Sequence, residues 1–223
     1  MFDPRQGASR HREMPERLMA KLTTPIFIIG PARHGKSTVR EIICRLLGEK
    51  GGSSSDVIYH AWALLTGEME ETLRALPKEK VRPLLVALGD WLTGGKPNAK
   101  GIRQNVENLN TNFPHHLLED VDPEIIVGSG LCRPSASALI QYSLNKGVKV
   151  LDGIRRPDEL TEFLSQSTEK PNVLWVEDPR MSRVVGDNFS IPKSFATHSI
   201  LNDGNLEDLE TSVIFFLRAI NAS

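Results

Sequence analysis

The chain has 223 residues, 39% hydrophobic and 25% charged, a composition that excludes a collagen-like repeat and a long disordered polymer. Lys and Arg number 27 against 28 Asp and Glu, a formal net charge of -1, which argues against stable nucleic-acid binding through a broad basic surface but allows a local cationic cleft. Cys44 and Cys132 stand in no metal-type spacing, so a cytoplasmic chain with reduced thiols is expected.

Residues 1–24 read as a flexible N-terminal tail, polar and Arg-rich, without the apolar centre of a secretory signal. The longest apolar run, 25–30, is strand-sized, so no membrane span is expected. Residues 25–29 predict a strand that ends at Gly30. Val39, Ile42, Ile43, Leu46 and Leu47 recur at helical spacing and predict a helix over 37–47, closed by a turn through Gly48 and the GGSSS of 51–55. Val57, Ile58 and Tyr59 open a candidate second strand within 56–65. Residues 67–122 read as an inserted, mostly helical subdomain, with helical spacing over 68–76 and 79–92 and a loop at 94–97. Trp62 and Trp91 flank it, as core residues or as platforms for a base.

Residues 125–127 fit strand or helix, and 135–145 predict a helix ending at Gly147. Strands follow at 148–151, 172–176 and 199–201, and helices at 157–164 and 206–220. Strands alternating with helices imply an α/β fold, a parallel sheet between two helical layers. Residues 25–223 are expected to form one domain of this three-layer sandwich type, with the helical insert at about 67–122.

Gly30, Pro31, Ala32, Arg33, His34, Gly35, Lys36 and Ser37 fit the phosphate-loop pattern G-x-x-x-x-G-K-[ST], with a strand before and an amphipathic helix after. Glycines let backbone N–H groups converge on phosphates, and the helix N-terminus adds its positive end. Gly30, Ala32, Arg33, His34, Gly35, Lys36, Ser37 and Thr38 are therefore candidate nucleotide-binding residues. Lys36 supplies a cation for the β- and γ-phosphates, and the Ser37 hydroxyl a Mg²⁺ ligand. His34 can stack or hydrogen-bond near the phosphates. Motor ATPases, GTPases and kinases share such a loop, so it does not name the reaction.

Asp152, Arg155 and Arg156 follow the strand at 148–151. Asp152 is placed to hold Mg²⁺ directly or through water, or else to close the turn as an ion pair. The two guanidiniums suit phosphate oxygens. An acid flanked by arginines beside a phosphate loop suits transfer between two phosphorylated molecules.

The stretch from Asp152 to Arg156 resembles the Asp-Gly-x-x-Arg signature of adenylate-kinase-type nucleoside monophosphate kinases. More closely, GPARHGKST at 30–38, RPLLVALGD at 82–90, DGIRRPDE at 152–159 and ILNDGNLEDL at 200–209 resemble, in order, phage-type deoxynucleoside monophosphate kinases of the P-loop NTPase class. The resemblance implies phosphoryl transfer from ATP, with Mg²⁺, to a nucleoside monophosphate such as a deoxynucleotide. It assigns Arg82, Arg155 and Arg156 to the acceptor's phosphate or to the transferring group, so that with the loop lysine and the strand-end acid the expected catalytic residues are Lys36, Asp152, Arg155 and Arg156. It also brings the strand and turn at 200–204 near the donor base. Ser37 stands where those enzymes often carry an acid and restores the ordinary Mg²⁺-binding hydroxyl. Residues 107–131 have no counterpart in the resemblance.

Arg180 and Arg183 sit where such kinases carry a mobile lid, and a solvated loop is the other reading. Asn202, Asp203 and Gly204 form a turn that touches the donor base or caps the last helix. Arg133 faces the acceptor phosphate or the surface. His115 and His116 lack a third ligand and read as a solvated pair. A nucleotide-dependent switch or ATPase, and a kinase for another small phosphorylated or hydroxyl acceptor, are the rival functions. A homodimer is compatible with all of them.

Overall fold

The four apolar residues Ile26–Ile29 are buried to the last side chain and form β1, the middle strand of the sheet. A strand buried on both faces needs a continuous apolar run rather than an alternating one. The computed structural model describes residues 22–66, 69–77, 81–82, 85–86, 88–89, 92–93, 135–182 and 191–221. Within them, β2 (Gly51–Ser53), β3 (Val150–Asp152), β4 (Asn172–Glu177) and β5 (His198–Leu201) join β1 in the order β2-β3-β1-β4-β5, all parallel. Ile26 lies opposite Val150 on one side and Asn172 on the other.

Six helices accompany the sheet among the described residues: α1 (Lys36–Leu47), α2 (Ser54–Thr66), α3 (Glu70–Arg74), α4 (Ala138–Asn145), α5 (Pro157–Gln166) and α6 (Leu206–Asn221). Ile26 and Ile28 pack with Val39 and Ile43 of α1 and Val213 and Leu217 of α6. Phe27 and Ile29 point the other way, into Ile140 of α4 and Leu160 and Phe163 of α5. Helices thus cover both faces of the sheet. Among the described residues no helix is long and apolar enough to cross a membrane.

A third apolar cluster lies beside the sheet. Val57, Ile58 and Trp62 of α2 meet Leu73 of α3, Leu139 of α4, and Val81, Leu85, Leu88 and Leu92. The described residues 81–82, 85–86, 88–89 and 92 are helical, as their spacing predicts. Trp62 is 1% exposed, so it is a core residue and not a platform for a base. Residues 1–21, the rest of the insert beyond 93, the segment 125–127, Trp91, His115, His116 and Cys132 lie outside the described residues.

The expected strand at 57–59 is a correction. Those residues belong to α2, because Ser53 and Asp56 build a helix start. The Asp56 carboxylate accepts the Ser53 backbone N–H at 2.6 Å, the return half of a capping box. Val57, Ile58, Ala61 and Trp62 then share one buried helical face. The second strand is instead Gly51–Ser53, within the segment expected to be a turn. It pairs with β3, and the missing side chain at Gly51 lets Cys44 and Arg40 of α1 pack directly on it.

Candidate functional site

Connections from β1 run toward β2 and β3, whereas β4 leads to β5 on the opposite side. Ligands in open α/β sheets bind outside the carboxyl ends of strands at such a reversal. The glycine loop occupies this place. Gly30 leaves β1 with φ 137°, and a side chain there would collide with the Val176 carbonyl of β4. Arg33 at φ 70° and Gly35 at φ 91° turn the chain back, and α1 starts at Lys36.

The first turn of α1 carries no acidic residue, so nothing there neutralises the positive end of the helix. Lys36 Nζ donates to the carbonyls of Gly30 and Pro31 at 2.8 and 2.5 Å, which lays its ammonium across the loop. Ser37 and Thr38 are exposed on the first turn. The loop and the first turn of α1 thus carry backbone donors, a lysine and two exposed hydroxyls within nine residues, groups of the kind that suit a polyphosphate and its cation.

Asp152 ends β3, beside β1. Its Oδ1 accepts from Arg40 Nη1 of α1 at 3.1 Å. Its Oδ2 is buried with no hydrogen-bond partner. Asp152 is thus in an ion pair that ties β3 to α1 rather than one with the arginines of its own turn, and its second oxygen is an acceptor that a metal ion or its water would satisfy. Asp152 fits Mg²⁺ in this sense, and Ser37 offers an exposed hydroxyl on the first turn of α1. Among the described residues no group of three or more His, Cys, Asp or Glu is placed to hold a metal by itself. A Mg²⁺ ion held by one or two protein groups and the substrate's phosphates needs no such group.

Beyond β3 the chain enters a cleft lined by Arg82, Arg155 and Arg156, with Ser54 and Ser55 at the start of α2 and an apolar wall of Ile58, Leu85, Val86 and Leu139. Arg156 is oriented from two sides. Its Nε donates to Glu159 Oε1 at 3.1 Å and its Nη2 to Thr93 Oγ1 at 2.6 Å. Glu159 also accepts the Arg155 backbone N–H through Oε2 at 3.3 Å. Burial pushes the Glu159 carboxyl above the ordinary carboxylate range, against the opposing pull of Arg156.

On the far side of the loop, Arg180, one of the two arginines expected in a lid, rests against the turn after β5 with its side chain half-exposed. It grips Asp178 and donates to the carbonyls of Asn202 and Gly204. Asn202 sits where a Cβ on Gly35 would fall. The capping role foreseen for 202–204 belongs to Asn205, whose Oδ1 accepts the N–H groups of Glu207 and Asp208 at 2.8 and 3.1 Å. His34 is buried against the end of β4, where its Nδ1 accepts the Asp178 N–H. Arg133 and Arg183 lie outside the described residues.

Sequence reasoning missed Arg40, Thr93, Glu159 and Asp178. Arg40 had a signal, since it lies one helical turn after Lys36 on the same face. Glu159 stands three residues after Arg156 within the DGIRRPDE segment, at helical reach. Thr93 and Asp178 had none. No known protein family matches the chain, and no curated protein matches it. Function is therefore read from the residues themselves.

Proposed function

We propose that the chain is a P-loop kinase, similar to phage-type deoxynucleoside monophosphate kinases, that transfers a phosphoryl group from ATP to a nucleoside monophosphate. One observation carries this. The glycine loop after β1 and the cleft bearing Arg82, Arg155 and Arg156 open from the ends of adjoining strands. A donor and an acceptor that are both polyanions repel, and cations facing the second site make their approach affordable.

Loop amides and Lys36 hold the donor phosphates, with the ammonium moving from the Gly30 and Pro31 carbonyls to phosphate oxygens. Ser37 and Asp152 are the residues that would hold Mg²⁺, which when bound neutralises charge on the phosphates. Arg82, Arg155 and Arg156 orient the acceptor phosphate, whose own oxygen is the nucleophile, so no protein nucleophile is required. The apolar wall of Ile58, Leu85, Val86 and Leu139 keeps water from the transferring group.

The test is ATP turnover, with Mg²⁺, against a panel of ribo- and deoxynucleoside monophosphates, small hydroxyl acceptors, and no acceptor. Diphosphate formation with at least one monophosphate and little hydrolysis alone is expected. Acceptor-independent turnover would instead identify an ATPase or switch, and transfer only to a hydroxyl would identify a different small-molecule kinase.

A further inference from the structure

The glycine loop is tied to two neighbouring turns by a closed ring of contacts. His34, 1% exposed, accepts the Asp178 backbone N–H at Nδ1, at 2.9 Å. A ring nitrogen that accepts carries no proton, so the neutral imidazole has its proton on Nε2, which is buried without a partner. The Asp178 carboxylate accepts from Arg180 Nε and Nη2, each at 2.9 Å. Arg180 Nη2 and Nη1 donate onward to the carbonyls of Asn202 and Gly204 at 2.9 and 3.3 Å. Asn202 Nδ2 closes the ring on the His34 carbonyl at 3.4 Å. The ring spans the loop, the end of β4 and the turn after β5.

Something must hold this loop in shape. Arg33, beside His34, sits at φ 70°, a conformation that costs a non-glycine residue about 1 kcal/mol or more unless its surroundings impose it. Gly35, on the other side of His34, is at φ 91° with Asn202 seated against it. The only side chain between these two positive-φ residues is the buried imidazole.

We propose that His34 is a positioning residue, and that through Asp178, Arg180 and Asn202 it makes the phosphate loop and the 202–204 turn one prebuilt unit. A change at the turn is then felt by phosphates bound at the loop, although the turn need not touch them. Prebuilding of this kind removes the ordering cost from binding. The proposal rests on the reading of residues 30–37 as the donor-phosphate loop.

The experiment is calorimetric titration of the full chain, with Mg²⁺, by ATP and by inorganic tripolyphosphate, which has no base or sugar to reach the turn. Arg180→Ala and His34→Ala are each expected to weaken tripolyphosphate roughly tenfold, the scale of a lost buried hydrogen bond. The double variant should be no weaker than the worse single one. His34→Asn, which keeps an acceptor near the Nδ1 position, should restore most of the affinity. If His34→Ala fails to fold, His34→Gln takes its place in the cycle. Weakening of ATP alone by Arg180→Ala would overturn the coupling, because the turn would then only contact the base. Multiplying losses in the double variant would also overturn it, since they indicate independent contacts with phosphate. A wild-type chain that binds neither ligand would remove the donor-loop reading and this proposal together.

Discussion

Arg40 Nη1 lies 3.1 Å from Asp152 Oδ1 and bolts the helix that begins at the glycine loop to the strand that ends at the arginine turn. Asp152 is nearly dry, with 4% of its side chain exposed against 20% for Arg40. The pair therefore fixes the distance between the two halves of the site.

Arg40→Met should leave a buried carboxylate without its partner and destabilise the protein by about 2–4 kcal/mol, somewhat less than a fully buried pair because Arg40 is partly wet. Urea denaturation measures this. Adding Asp152→Asn to Arg40→Met should recover part of the loss by removing the stranded charge. A loss below about 0.5 kcal/mol would place the pair among exposed ion pairs of little consequence.

Lys36→Met should lower ATP turnover by about a hundredfold or more, the scale seen when one charge-stabilising group is removed from a transition state. Its ammonium bonds two loop carbonyls in a partly exposed position outside the apolar core, so the circular dichroism spectrum and melting midpoint should change little. Turnover within a few-fold of wild type would remove Lys36 from the mechanism.

Much of the sheet was legible because its strands are local events. IFII at 26–29 is the whole of β1, and NVLWV at 172–176 lies within β4; both are short runs dominated by apolar side chains. The 51–66 region was misread for a physical reason. A three-residue apolar run fits either period, and the deciding signal, Ser53 with Asp56 three residues on, is a polar cap rather than a hydrophobic pattern. Glycine has poor strand propensity, so β2 exists only because β3 pairs with it and α1 crosses closely above. In the site, the glycine loop was legible from its own spacing. The Arg40–Asp152 pair joins residues 112 positions apart, which no local period encodes. The convergence of Arg82 with Arg155 and Arg156 on one cleft was suggested by resemblance, whereas the supports Thr93 and Glu159 depend on where the chain returns.

Acid should find Asp178. Hydrogen bonds from Arg180 hold its carboxyl below the ordinary carboxylate range. A depressed folded-state value means the carboxylate stabilises the fold above the unfolded value, near pH 4, and that this is lost as pH falls through the folded value. Urea midpoints for wild type and Asp178→Asn should differ near neutral pH and converge as the pH drops below about 4. Parallel curves down to the lowest pH would mean that the Arg180 clamp contributes no pH-dependent stability.

The final prediction separates holding Arg156 from charging the cleft. Lysine keeps the charge but cannot donate to Glu159 and Thr93 with one planar fork, so Arg156→Lys should raise the acceptor KM roughly tenfold. Arg155→Lys should act in the same direction. Thr93→Val is the sharper probe, because it leaves every cation in place and removes only the hydroxyl 2.6 Å from Arg156 Nη2. If orientation matters, Thr93→Val raises the acceptor KM several-fold while the KM for ATP stays within about twofold, and Thr93→Ser restores it. Wild-type acceptor kinetics in Arg155→Lys, Arg156→Lys and Thr93→Val together would mean that the acceptor phosphate binds elsewhere, and that this cleft is packing between α2, α5 and the helical segment carrying Arg82.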